Sequence, residues 1–206
     1  MKIAIFGATG RVGSKVLEMV VHEGWEVHAL IRDRSRTPFD SEAVQWYIGD
    51  ATSPELVDQV IKGCDLVFSG LNTDKTDTLS QAIPLIIHSM QKHQISRIVT
   101  IGTAGILDSR YEEGKYRFQT SESKRKSTFA AEEHLTVYQT LKNTDLRWTI
   151  ICPTYLPDGE EQGNVRHEMN VLPEEGKKIT VGDTARFAFH TLLYDQFVHN
   201  RVGICY

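Results

Sequence analysis

Short apolar runs alternate with stretches of helical periodicity along most of the chain. Ile3-Ala4-Ile5-Phe6 is continuously hydrophobic and reads as a buried strand. Behind it Val12, Val16, Leu17, Val20 and Val21 fall on one helical face, and Gly24 marks the end of that helix. The alternation then predicts strands at 26–31, 44–48, 65–68, 97–101 and 147–152, with helices at 53–62, about 77–92, and 127–142. Pro84 within the third helix predicts a kink or a late start. Strands apolar on both faces, alternating with helices, predict a mainly parallel sheet covered on both sides. Right-handed crossovers make that sheet doubly wound. No repeat, low-complexity run or linker divides the chain, so the expectation is one α/β domain over residues 1–206.

Two stretches break the rhythm. Asp108 to Lys126 is rich in charge and aromatics, and Thr154 to Lys177 carries Pro157, Gly159, Gly163, Pro173 and Gly176. Both follow strands and so leave the carboxyl edge of the sheet, where open α/β sheets bind ligands. They are the expected substrate loops.

Composition narrows the field without choosing within it. The chain has 206 residues, 40% of them hydrophobic and 24% charged, which is enough to bury a core and excludes disorder. A formal charge of −4 gives no electrostatic footprint for nucleic acid. The three cysteines, Cys64, Cys152 and Cys205, lie far apart in no metal-ligand or redox spacing, and read as buried thiols in a reducing compartment. No stretch approaches a membrane span or a signal peptide, so the expected location is cytoplasmic. The histidines form no H-E-x-x-H pair, so no metal is expected.

Gly7-Ala8-Thr9-Gly10-Arg11-Val12-Gly13 follows the first strand directly and opens the first helix. Gly7 suits a tight turn, Gly10 lets backbone approach a diphosphate, and Gly13 allows close packing of helix on strand. The helix N-terminus presents free N–H groups to the phosphates. This predicts a dinucleotide site. An NAD site places a carboxylate at the end of the second strand, whereas an Arg there accommodates a 2′-phosphate. Arg32 holds the position, with Arg11, Arg34, Ser35 and Arg36 within reach, so NADP(H) is expected over NAD(H). Loss of Arg32 is expected to cost about 1.5–3 kcal/mol of NADPH affinity. Asp50, with Ala51 beside it, either meets the adenine or caps the helix beginning near Ser53. Ser69-Gly70-Leu71-Asn72 passes beside the adenosine ribose.

Together these residues resemble the atypical short-chain dehydrogenase/reductase group with NmrA-like Rossmann domains, near the biliverdin-IXβ reductase/flavin reductase type. The likeness spans the whole chain and rests on Gly7 to Gly13, Leu30-Ile31-Arg32-Asp33, Gly49-Asp50 and Ile101-Gly102-Thr103-Ala104. Leu146 to Pro153 and Gly182-Asp183-Thr184-Ala185 complete it. The resemblance implies that Thr103 lies beside the nicotinamide, that His134 points at the nicotinamide ribose, and that Pro153-Thr154-Tyr155 flanks the nicotinamide. Helical spacing puts His134, Tyr138 and Leu141 on one face toward the sheet, where a core histidine is the alternative.

Two features depart from the pattern. Cys152 stands where relatives often carry Arg, and the Tyr-x-x-x-Lys pair of the main short-chain enzymes is not where it would have to be. Tyr111-Glu112-Glu113-Gly114-Lys115 matches the letters but reads as a loop. Without that pair, alcohol dehydrogenation is disfavoured and hydride transfer to a conjugated acceptor is favoured. Tyr111, Tyr116, Phe118 and Tyr155, with Arg110 and Arg117, form a candidate stacking mouth for a flavin, quinone or related pigment. The run Lys124-Arg125-Lys126 reads as solvated. The expected function is an NADPH-dependent reductase. The alternative is a non-catalytic NADP-binding redox sensor with a protein partner, and a sugar-nucleotide epimerase is the weakest reading.

Overall fold

The computed structural model describes residues 1–125 and 127–206; Lys126, the last of the basic run, lies outside the described residues. Six strands build the body of one sheet: β1 Lys2–Phe6, β2 Glu26–Ile31, β3 Val44–Ile48, β4 Leu66–Ser69, β5 Arg97–Ile101 and β6 Arg147–Pro153. Between them run α1 Arg11–His22, α2 Pro54–Ile61, α3 Thr78–Lys92 and α4 Phe129–Lys142. After β6 come β7 Arg166–Met169, α5 Val181–Leu193 and β8 Asn200–Cys205. The spatial order is β3-β2-β1-β4-β5-β6-β8-β7, all parallel except β7, which runs antiparallel to β8. The first six strands therefore follow the doubly wound 3-2-1-4-5-6 order, with its switch point between β1 and β4.

Two-sided burial follows from the strand sequences. On β1, Ile3 and Ile5 face the α1 and α5 layer, while Ala4 and Phe6 face the layer of α2, α3 and α4. Ile5 lies opposite Ala29 on β2 and Phe68 on β4, so the centre of the sheet is dry. Trp148, Ile150 and Cys152 on β6 point into one layer and Ile151 into the other. Pro84 leaves α3 unbroken from Thr78, so the late start does not occur. It is exposed, on the solvent face of the helix.

No periodicity reading anticipated the three elements beyond β6. The helix signal was present in Val181, Ala185, Ala188, Phe189 and Leu192, all buried against the sheet. β7 is exposed at every position and carries no pattern to find. A buried arginine secures this C-terminal part. Arg97 on β5 donates to the backbone carbonyls of Arg147, Thr191 and Gln196 and pairs with Asp195. Burial pushes its guanidinium down to about 10, opposed by Asp195. Cys64, Cys152 and Cys205 are free and buried, and burial pushes the first two thiols up to about 12.

Candidate functional site

A cleft of about 1100 Å³ runs along the carboxyl edge of the sheet across the switch point. That exceeds the roughly 300–1,000 Å³ of sites for drug-sized ligands and suits a dinucleotide with room beyond it. Gly7, Thr9, Gly10, Arg11 and Val12 form one part of its wall. Gly7 has φ of +78°, and a Cβ there would come within 2.7 Å of the Gly70 carbonyl. Gly13 lies behind the wall, where a Cβ would sit 2.1 Å from the Gly7 oxygen. The loop can therefore close only with glycine at both ends. Gly10 is the N-cap of α1, which has no side-chain cap and no acidic residue in its first turn. Its first N–H groups and the positive end of its dipole are left for an anion. A diphosphate fits this cradle.

Toward the end of β2, Arg32 and Arg36 line the cleft with Gly49, Asp50, Ala51, Gly70, Leu71, Asn72 and Asp74. Arg32 Nη2 meets Asp74 Oδ2 at 2.6 Å, a partner 42 residues away that the sequence did not suggest. Arg34 and Ser35 are not brought to the cleft wall. Arg34 pairs with Asp40 at 3.0 Å and lies 5.3 Å over the Trp46 ring, while the Ser35 hydroxyl donates to Asp33. Asp50 does not cap α2. Its Oδ1 accepts from the Thr52 amide and hydroxyl, bonds that hold its carboxyl below the ordinary range. Ser53 is the cap, accepting from the Leu56 amide at 3.4 Å.

Farther along, Ile101, Gly102, Thr103, Ala104, His134, Pro153, Thr154 and Tyr155 surround the next section of the cleft. Thr103 caps a short 3-10 turn at Ala104–Ile106 through its hydroxyl, which accepts from the Gly105 amide. His134 is buried together with Tyr138 and Leu141, as its helical face demands, yet reaches the cleft wall. Burial, with Arg125 nearby, pushes its imidazole down to about 4, so it is neutral at physiological pH. Thr154 donates to the Lys177 carbonyl at 3.0 Å, and Tyr155 is 65% exposed at the rim.

The outer section carries Arg110, Tyr111, Arg117, Phe118, Glu122, Lys124, Arg125 and Lys177. Lys124 and Arg125, expected as solvated, are exposed and also line this wall. Tyr116 does not. It packs edge-on against Tyr138, and Arg201 lies 5.5 Å from its ring centroid and 4.3 Å from that of Tyr138. Arg201 is 3% exposed and holds both oxygens of Asp108 at 2.9 and 2.8 Å, pinning the loop inward. Glu122 organises the same loop. Against the cost of burial, bonds from Ser109 and Arg117 keep its carboxyl below the ordinary range. Tyr111 and Lys115 sit in this loop, Tyr111 81% exposed and Lys115 paired with Glu112, so they form no helical pair; the same spacing on α4, Tyr138 and Lys142, puts the ammonium 5.8 Å from the ring centroid, outside the cleft lining.

The segment after β6 straps itself over α1. Arg11 donates to the Leu156 carbonyl at 2.9 Å and meets Asp158 at 3.1 Å, and Lys15 holds Glu160. Asp183 in the first turn of α5 receives the amides of Gln162 and Gly163. Despite burial, these bonds and the Tyr206 and Thr180 hydroxyls keep its carboxyl below the ordinary range. That is the work of the Gly182-Asp183 motif: it anchors the strap rather than touching the cleft.

Among the described residues no helix is long and apolar enough to cross a membrane. The chain is 26% identical over 204 residues to 4-hydroxy-tetrahydrodipicolinate reductase of Burkholderia vietnamiensis, covering 99% of this chain and 72% of that one. A solved Bacteroides thetaiotaomicron protein named as an epimerase superposes with a TM-score of 0.85 at 25% identity, over 100% of this chain and 96% of that one. A Streptococcus pneumoniae protein named as an NADH-flavin reductase gives 0.84 at 22% identity over 100% and 99%, a likeness of fold. The family model described as NAD(P)H-binding matches residues 7–194, which include the glycine cradle, the cleft wall and the strap. With a Rossmann sheet and a glycine loop at its switch point, the chain belongs to the NAD(P)H-binding family.

Proposed function

We propose that the protein is an NADPH-dependent reductase that passes hydride to a planar conjugated acceptor, a flavin or a quinone. The observation that carries this reading is one continuous cleft whose inner section, among the described residues, holds Thr103 and a neutral His134, while Tyr138 and Lys142, the Tyr-x-x-x-Lys spacing on α4, stand outside its lining. A bound nicotinamide supplies the hydride. The glycine cradle and α1 hold the diphosphate, Arg32 and Arg36 take the 2′-phosphate, and Thr103, His134 and Thr154 flank the ring. His134, kept neutral by burial, adds no charge beside the reacting centre. It is also a poor proton donor, which favours an acceptor that spreads negative charge over its own ring and takes its proton from solvent. Tyr111, Phe118 and Tyr155 offer stacking surface for such a ring at the open end. Three free buried thiols favour a reducing compartment such as the cytoplasm.

The test is NADPH binding and oxidation, with and without FMN and a small quinone, repeated with NADH. Saturable turnover with NADPH is expected. In Thr103→Ala and His134→Gln, kcat falls while the NADPH dissociation constant stays within about twofold, the signature of groups acting in the transition state. Tight NADPH binding without turnover across the panel refutes the reductase and leaves a redox sensor. Failure to bind either nucleotide refutes the cofactor assignment itself.

A further inference from the structure

We propose that Asp74 sets the choice between NADPH and NADH by occupying Arg32, so that a 2′-phosphate must displace a built-in carboxylate before it binds. The inference rests on the cofactor reading above and goes beyond it. Arg32 and Asp74 both line the cleft, 63% and 47% exposed, and meet at 2.6 Å. Their contact is held from the Asp74 side. Asp74 and Lys75 both adopt left-handed backbone, with φ of 48° and 63°. The buried Thr73 fixes that turn through its hydroxyl, which accepts from the Lys75 amide, and its carbonyl, which accepts from Thr76. An aspartate tolerates this conformation better than most residues, because its short side chain bonds locally.

The electrostatics follow. Arg34, the other arginine at the strand end, is drawn off by Asp40 and Trp46. Arg36 is the remaining arginine of this section, and Asp50, also in the cleft wall, adds a second carboxylate within range of Arg32. A dianionic 2′-phosphate entering here gains Arg32 and Arg36 but breaks one ion pair and meets the repulsion of Asp74. A ribose 2′-hydroxyl meets neither cost and leaves the Arg32–Asp74 pair intact. The intact carboxylate therefore narrows the preference for NADPH that Arg32 alone creates.

The experiment measures dissociation constants for NADPH and NADH, and for adenosine 2′,5′-bisphosphate against 5′-AMP, in wild type, Asp74→Asn, Arg32→Ala and the double variant. Asparagine keeps the shape and tolerates the left-handed turn, and a thermal melt verifies folding. In Asp74→Asn, NADPH and the bisphosphate should bind about 3- to 10-fold tighter, the scale of an exposed ion pair plus like-charge repulsion. NADH and 5′-AMP should stay within about twofold, and the gain should vanish in the Arg32→Ala background. Unchanged NADPH affinity in Asp74→Asn, beside weakened binding in Arg32→Ala, overturns the role of Asp74 while the NADPH assignment stands. Equal weakening of both nucleotides in Asp74→Asn overturns it as well. An unchanged NADPH-to-NADH ratio in Arg32→Ala refutes the NADPH assignment first, and the proposal with it.

Discussion

Gly13→Ala sets two effects of opposite sign against each other. Alanine in place of glycine inside a helix is worth about 1 kcal/mol in the helix's favour. The added Cβ would lie 2.1 Å from the Gly7 oxygen and 2.9 Å from the Gly7 carbon. Real Cβ atoms stay beyond about 3.0 Å, so α1 and the glycine loop must separate by 0.9 Å or more. The loop has little room to give. Its Gly7 oxygen accepts from the Gly10 amide at 3.0 Å, and Gly7 itself is wedged against Gly70. Overpacking costs about 1–3 kcal/mol, and against backbone, where no side chain can swing away, the upper part of that range, about 2–3 kcal/mol, applies, so the clash wins. The net loss of about 1–2 kcal/mol lowers the melting temperature by roughly 2–8 °C for a domain of this size. Because the displaced atoms are those proposed to cradle the diphosphate, NADPH affinity should fall at least tenfold in the same variant. Thermal melts and NADPH fluorescence titrations measure both. A Gly13→Ala protein that melts at or above wild type, with unchanged affinity, would falsify the assignment of Gly13 to close helix–loop packing.

Two further outcomes follow from buried groups. His134 is pushed down to about 4, so between the unfolded value near 6.5 and about 4 the unfolded chain binds the extra proton. Wild-type stability should therefore fall by about 3 kcal/mol as pH drops through that window, and His134→Gln should flatten the slope in denaturant titrations at several pH values; parallel curves would show that the imidazole is not buried neutral. Arg201→Met removes the donor to the Ile106 carbonyl and to Asp108, while half-exposed Asp108 is rescued by water. A loss of about 1–3 kcal/mol is expected, with faster amide exchange confined to residues 104–119; unaltered exchange there would mean the arginine does not pin the loop.

The order of the first ten strands and helices, the parallel sheet and the glycine loop that opens α1 were all legible in the chain. They depend on short-range periodicity and on glycines whose spacing is itself the geometry: Gly7, Gly10 and Gly13 follow one another at intervals of three residues. Two-faced apolar strands leave no other way to bury their residues than a sheet covered on both sides. What the tertiary structure alone decided concerns partners far apart in sequence. That Arg32 meets Asp74, that Arg34 turns to Asp40 and Trp46, and that Tyr116 folds under Arg201 follow from which loops the strand order brings side by side. Asp50 was open between two roles until the Thr52 bonds and the Ser53 cap excluded the capping one. Hydrophobic pattern specifies which face of an element is buried, because burial acts on every residue alike. It carries no label for which charge lies across a cleft, so the ion pairs and stacked rings that tune this site could be read only from the folded chain.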